Sequence, residues 1–302
     1  MHRLRLLAVL IPLLVATGCG FKPEPIGSLP SFPQGVTDGL GRKVTMQAQP
    51  RRVVSLDPGL TETAYAVGAG GAVVAASGRE QYPAAALRLP RAGAADGAPN
   101  IPRLRRLHPD LVLAPNTTSA AAAAHISRSV GAPVYVAGNG SVPAIEHDVD
   151  QVGAMTGEAA AGRAQVLRMQ ADLRRLKTAL AGSPAVPVFV DEGFFYTIPP
   201  DGTAAHLLAL AGGTNVAAGT PSGTPFPVAQ LRAAAPQAYL AVAGRGVTLA
   251  GLRRSRATRT LPAVRDRRFA LVDGAALTDT GPRAVTEVLE LARLLHPTLH
   301  IP

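Results

Sequence analysis

The side chains able to grip a ligand sit just after short apolar runs. Asp57 and Pro58 follow Arg52–Leu56; Arg79, Glu80 and Tyr82 follow Val73–Ala76; Asn116 and Thr117 follow Leu111–Ala114. Further along, Glu192, Phe194, Phe195 and Tyr196 follow Val186–Val190, and Arg245 follows Ala238–Val242. Arginine offers a planar fork that holds a carboxylate or phosphate through two parallel hydrogen bonds. Phe194–Tyr196 is the densest aromatic stretch of a chain that is 4% aromatic and has no tryptophan. Side chains alternate along an extended segment, so at least one of these rings is expected to line a cleft. This is the chemistry of binding. His125, His147 and His206 lack metal-ligand spacing, and Gly68-Ala-Gly-Gly71 lacks the length and the lysine of a phosphate loop. With no cysteine or serine nucleophile motif either, no enzyme and no resident cofactor or metal is expected.

The apolar runs are of strand length and alternate with helical patterns at Thr61–Val67 and Ala120–Val130, then at Ala204–Ala211 and Pro282–Leu295. Such alternation predicts parallel sheets covered by helices. A first set of strands comprises 52–56, 73–76, 111–114 and 134–136, and a second 186–190, 238–242 and 269–272, so two α/β lobes are expected. Val36–Val44 reads as a hairpin turning at Asp38-Gly39. Between the lobes, Glu158–Ala181 carries no proline and only Gly162 to weaken it, with Thr156 as its expected N-cap and Gly182-Ser183-Pro184 as its stop. One continuous helix between the lobes predicts closure by a small rocking motion. In parallel α/β sheets ligands sit beyond the strands' carboxyl ends, which is where the residues above fall.

The chain has 302 residues, room for about two domains of ~150 residues, and 47% hydrophobic content is enough for a core. Arg3 and Arg5 precede an apolar run, Leu6–Val15, too short to span a bilayer. Ala16-Thr17-Gly18 then leads to Cys19, the single cysteine, in the pattern of a bacterial lipoprotein signal. This divides the chain into a signal peptide (1–18), a Pro-rich tether (19–35), an N-terminal α/β lobe (36–156), a linker helix (157–183) and a C-terminal α/β lobe (184–302). Lipidation at Cys19 places the protein on the extracytoplasmic face of the cell membrane. The formal charge is +10, and removing Arg3 and Arg5 with the signal leaves +8. Outside the cytoplasm nucleic acid is no partner, and the positive charge suits an anionic membrane surface or an acidic ligand. Seven arginines fall within Arg253–Arg268, as a solvated face or as a docking surface.

Arg51 through Gly70 resembles the opening of the iron-complex and vitamin B12 substrate-binding proteins of bacterial ABC importers. Gln81-Tyr-Pro-Ala-Ala85, Leu104 through Ala114, Leu207 through Val216, and Gly281-Pro-Arg283 through Leu294-Leu-His-Pro297 are similar to further segments of that family, in order. The resemblance covers residues 36–297. It implies two Rossmann-like lobes joined by a single long α-helix, and a monomer that offers an iron chelate (siderophore or heme) or a cobalamin-type corrinoid to an ABC permease. Tyr82 resembles the residue that ligates iron in heme-binding members, though the same Tyr-Pro occurs in members that bind no heme. In the cobalamin branch a glutamate on each lobe meets the permease; those positions fall on Pro102 and Ala229. No acidic residue lies between Asn100 and Pro109 or between Pro221 and Pro236. Their loss leaves open a non-transport adaptor of the cell envelope on the same fold.

Overall fold

A computed structural model describes residues 31–93, 98–221, 223–278 and 280–301. The signal peptide, Cys19 and the tether as far as residue 30 lie outside them. In chain order the elements are β1 (Gln34–Thr37), β2 (Lys43–Met46), β3 (Val53–Ser55), α1 (Pro58–Ala66), β4 (Val73–Ala75), α2 (Ile101–Leu107), β5 (Leu111–Ala114), α3 (Ala120–Val130), β6 (Val134–Val136) and α4 (Val142–Thr156). After α5 (Ala159–Ala179) come β7 (Val186–Asp191), α6 (Thr203–Leu210), β8 (Gly213–Asn215), α7 (Val228–Ala234), β9 (Ala238–Val242), α8 (Leu249–Arg254), α9 (Pro262–Arg265), β10 (Phe269–Val272) and α10 (Ala284–Leu295).

Runs such as Leu111-Val-Leu-Ala114 are buried on both faces, as strands covered by helices on each side must be. They build two parallel sheets with strand orders β4-β3-β5-β6 and β8-β7-β9-β10. The orders are the same, so the second lobe repeats the first. The repeat extends to detail: α2 and α7, each leading into the third strand, end on non-glycine residues in the left-handed region, His108 (φ 43°, ψ 58°) and Ala235 (φ 45°, ψ 58°). Three residues before each cap an arginine secures the next connection. Arg105 Nε donates to the Ser129 carbonyl at 2.7 Å, and Arg232 Nε to that of Ala257 at 2.9 Å.

Several expectations need correction. The hairpin begins inside the segment read as tether, since Gln34 and Gly35 pair with Met46 and Thr45. Asp38 is its anchor: one carboxylate oxygen accepts from the Leu40 and Arg42 amides, and Arg42 Nε donates to the other at 3.0 Å. Gly39 meets no left-handed requirement there but a steric one, because a Cβ would lie 2.1 Å from the Ala137 carbonyl oxygen. Thr156 does not cap the linker helix. It is the last residue of α4, a helix the sequence reading omits, and its hydroxyl donates to the Val152 carbonyl at 2.7 Å. The linker helix α5 starts after Glu158 and packs along α4, where Gly153 and Gly162 meet so closely that a Cβ on Gly153 would stand 3.0 Å from Gly162 Cα. Gly162 is thus a packing contact as well as a weak helix former.

One core cluster runs through both lobes, and α5 contributes Met169 and Leu176 to it. Each lobe also buries a tyrosine hydroxyl that donates to an aspartate, Tyr135 to Asp148 (2.6 Å) and Tyr239 to Asp191 (2.5 Å). Burial pushes the Asp148 carboxyl up from 3.8 to about 6, against the hydrogen bonds from Tyr135 and Gly138 that favour its charged form. With the folded value above the unfolded one, the stability this group contributes is complete below about pH 4 and is lost as the pH rises to about 6, a change of roughly 3 kcal/mol. Urea unfolding of wild type and Asp148→Asn between pH 4 and 7 is expected to show wild type falling relative to the variant across that window. Parallel profiles would refute the assignment.

Candidate ligand cleft

Between the carboxyl ends of the two sheets lies a cleft of about 460 Å³. Its first-lobe wall follows from three strand ends. After β3, Asp57 caps α1 by accepting from the Leu60 amide at 2.8 Å, and Pro58 occupies the first helical turn. After β4 the chain folds around Glu80, whose carboxylate accepts from the Ser77 amide and hydroxyl and the Gly78 amide at 2.7–2.8 Å. Glu80 therefore shapes the loop rather than lining the cleft, while its neighbours Arg79, Gln81 and Tyr82 do line it. Asn116 and Thr117 follow β5 on the same wall.

The second-lobe wall differs from the sequence expectation. It consists of Thr203, Ala275, Thr278, Thr280 and Arg283, drawn from the start of α6 and the β10–α10 connection. Asp191 Oδ1 accepts from the Gly193 and Phe195 amides at 2.8 and 3.2 Å, and Phe194 and Phe195 both take left-handed φ values of 53° and 65°. Two consecutive left-handed residues coil the chain, so the extended path assumed for this loop does not exist. Phe194 projects into solvent at 85% exposure, and Phe194, Phe195 and Arg245 line a separate 230 Å³ pocket on the second lobe. Glu192 and Tyr196 close that loop through the Glu192 amide, which donates to the Tyr196 carbonyl at 2.8 Å. Neither lines the cleft.

Two residues that the sequence reading did not nominate tie the lobes together. Glu62 on α1 is 3% exposed; its two carboxylate oxygens accept from the Arg283 amide at 2.7 Å and from Arg283 Nε at 2.9 Å. The Arg283 guanidinium then lies 4.6 Å from the centroid of the Tyr82 ring, a cation–π contact back to the first lobe. Glycines permit this approach: a Cβ on Gly59 would stand 2.6 Å from the Thr280 carbonyl carbon, and one on Gly140 2.3 Å from Thr203 Oγ1. Applying the strand-end rule to β10 as well as to β7 and β9 would have pointed to Arg283. Nothing in the local sequence marks Glu62, because its role exists only once the lobes meet.

The wall is rich in hydroxyl and amide groups, and Tyr82 is its one aromatic residue. Among the described residues the exposed Arg79 guanidinium has no hydrogen-bond or carboxylate partner, whereas Arg283 is engaged by Glu62. No cluster of three or more His, Cys, Asp or Glu suited to a metal occurs among the described residues, and none of their helices is long and apolar enough to cross a membrane.

Two α/β lobes on a helical linker, enclosing a polar cleft between strand ends, define a binding protein. The chain belongs to the periplasmic binding protein family, whose pattern residues 53–276 match. The uncharacterized ABC transporter substrate-binding lipoprotein YvrC of Bacillus subtilis is 25% identical over 304 residues, covering 96% of each chain. A cobalamin-binding protein of Halobacterium salinarum is 29% identical over 201 residues, 65% of this chain and 54% of its own length, so the chain spans about half of that relative. Among solved structures, the periplasmic heme-binding protein BhuT in complex with two hemes aligns with a TM-score of 0.70 at 26% identity, over 83% of this chain and 99% of that one. The family consists of substrate-binding proteins rather than enzymes.

Proposed function

We propose that this protein is the extracytoplasmic substrate-binding lipoprotein of an ABC importer, anchored through Cys19, and that its interlobe cleft takes an anionic iron chelate. The observation that carries the reading is Arg79, an exposed arginine lining the cleft whose guanidinium makes no ion pair or hydrogen bond among the described residues, although Asp57 and Glu62 line the same cleft. A bound carboxylate or catecholate oxygen would supply the missing partner, as a charge-assisted hydrogen bond worth about twice a neutral one. Heme, with its propionates, belongs to this class, and Tyr82 at the wall offers a phenol oxygen on a ring that the Arg283 guanidinium packs against. A cobalamin-type corrinoid, the alternative suggested by relatives, carries mostly neutral amides and a single phosphodiester, so it offers Arg79 fewer anionic oxygens than heme or a catecholate chelate. Pro102 and Ala229 occupy the exposed second positions of α2 and α7, so permease docking here runs through contacts other than a glutamate pair.

The chain has no tryptophan, so tyrosine fluorescence reports on the cleft through Tyr82. Titration with hemin, a ferric catecholate, a neutral ferric trihydroxamate and cyanocobalamin is expected to give micromolar or tighter binding for hemin or the catecholate and weaker binding for the trihydroxamate and the corrinoid. Binding of none of the four would refute the reading, and preference for cyanocobalamin would transfer it to the corrinoid class.

A further inference from the structure

The arginines of 253–268 gather at the pole of the second lobe opposite the cleft. The helices run back along parallel strands, so helix ends and strand beginnings share that pole. Two backbone bonds fix the segment there: the Ala263 amide donates to the Pro236 carbonyl at 3.0 Å, and the Tyr239 amide to the Arg268 carbonyl at 2.9 Å. Arg268 is partly buried and donates to the Leu295 carbonyl, and Arg265 pairs with Asp266, the one acidic residue of the segment. The other five, Arg253, Arg254, Arg256, Arg259 and Arg267, are exposed and have no side-chain partner among the described residues. Arg253 and Arg254 sit in the last turn of α8, where the helix dipole favours cations. That account does not extend to Arg256, Arg259 and Arg267, which lie outside the helices. Arg267 moreover holds a left-handed φ of 58°, a conformation that disfavours any side chain.

We propose that this arginine cap docks on the anionic phospholipid headgroups of the membrane, fixing how the tethered protein stands. No exposed aromatic or large apolar side chain occurs within 253–268, so the cap offers charge without the apolar and aromatic side chains that build the core of a protein interface. It suits instead a diffuse layer of negative charge, to which each basic residue contributes about fivefold in binding. The proposal rests on lipidation at Cys19 for proximity: the twelve residues 19–30 reach at most ~40 Å, which confines the domain to within about its own diameter of the bilayer. A lipid anchor and a polybasic surface are complementary membrane signals. Seating this pole on the membrane turns the cleft, at the other end of the strands, away from the bilayer, so the cap holds the protein between deliveries and must let go before the cleft can meet a permease.

The test uses the mature chain, residues 19–302, with Cys19→Ser, so that neither lipid nor signal peptide holds it, sedimented with vesicles of phosphatidylglycerol in phosphatidylcholine or of phosphatidylcholine alone. Binding is expected with the anionic vesicles only, to weaken as salt rises, and to drop at least tenfold when the five unpaired arginines become glutamine. Replacing Arg103, Arg106 and Arg128 of the first lobe by glutamine is expected to leave most of it intact, which separates the cap from net charge; unfolding midpoints confirm that both variants fold. Absence of binding to anionic vesicles, or equal loss in the two variants, overturns the proposal. Cap-dependent binding to an acidic polypeptide such as polyglutamate but not to vesicles overturns it in favour of a protein partner. Failure of lipidation shows separately, as wild type and Cys19→Ser distributing alike in cell fractions.

Discussion

Alanine in place of Arg79 is expected to weaken binding of an anionic iron chelate by roughly 10- to 100-fold, the range for losing a hydrogen bond to a charged group. The side chain is exposed and carries no hydrogen bond within the protein, so removing it leaves no buried group unsatisfied and should change unfolding free energy by no more than about 0.5 kcal/mol. Lysine at this position would keep the charge but not the planar fork, and is expected to recover only part of the affinity. Fluorescence titration of the three proteins with the chelate that binds wild type, beside urea unfolding, makes the comparison. Unchanged affinity in Arg79→Ala would remove the observation on which the anionic ligand class rests.

The second large effect is expected at Gly59. An added Cβ would stand 2.3 Å from Thr280 Oγ1, 2.6 Å from the Thr280 carbonyl carbon and 2.9 Å from the Gly281 nitrogen. The hydroxyl can rotate away, but the two backbone atoms cannot. Gly59 lies on α1 and Thr280 on the opposite lobe, so the least costly relief of Gly59→Ala is a displacement of one lobe from the other. That displacement lengthens the Arg283–Glu62 hydrogen bonds and separates the walls that would hold the ligand from two sides. Chelate affinity is expected to fall at least tenfold and the radius of gyration in solution scattering to rise, while unfolding free energy drops by about 1–3 kcal/mol, as for other overpacked contacts. Unaltered scattering together with unaltered affinity would show that the contact is absorbed locally and that the lobe spacing does not depend on it.

How much of the molecule could be read in advance depended on the range of the interaction. Ala120–Val130 and Leu111–Ala114 were legible to the residue, because a serine cap, a terminal glycine and an unbroken buried run are local signals. Helix α4 was missed because the Glu158 helix begins two residues after it ends, and Thr156 has the right chemistry for a cap while serving the preceding helix instead. The repeat between lobes was invisible for another reason. Its α2 and α7 copies share little beyond a Leu-Arg pair and a proline, and what they have in common is a backbone conformation at His108 and Ala235. In the cleft, Arg79, Tyr82 and Asn116 followed from strand ends. The Phe194–Tyr196 loop did not, because the Asp191 carboxylate winds it into a turn that strand alternation cannot anticipate.

The sequence by itself determined the class of protein: strand and helix periodicity are local consequences of which side chains must be buried, and five ordered segments carried the family. It determined also that the first-lobe wall would follow β3, β4 and β5. Only the tertiary structure decided which part of the second lobe faces that wall, that Glu62 and Arg283 join the lobes, and that Arg79 is left without a partner inside the protein. These are contacts between groups as much as 221 residues apart. No local preference encodes them, because they arise only when the two sheets, joined by one helix, are packed with their carboxyl ends facing the same cleft.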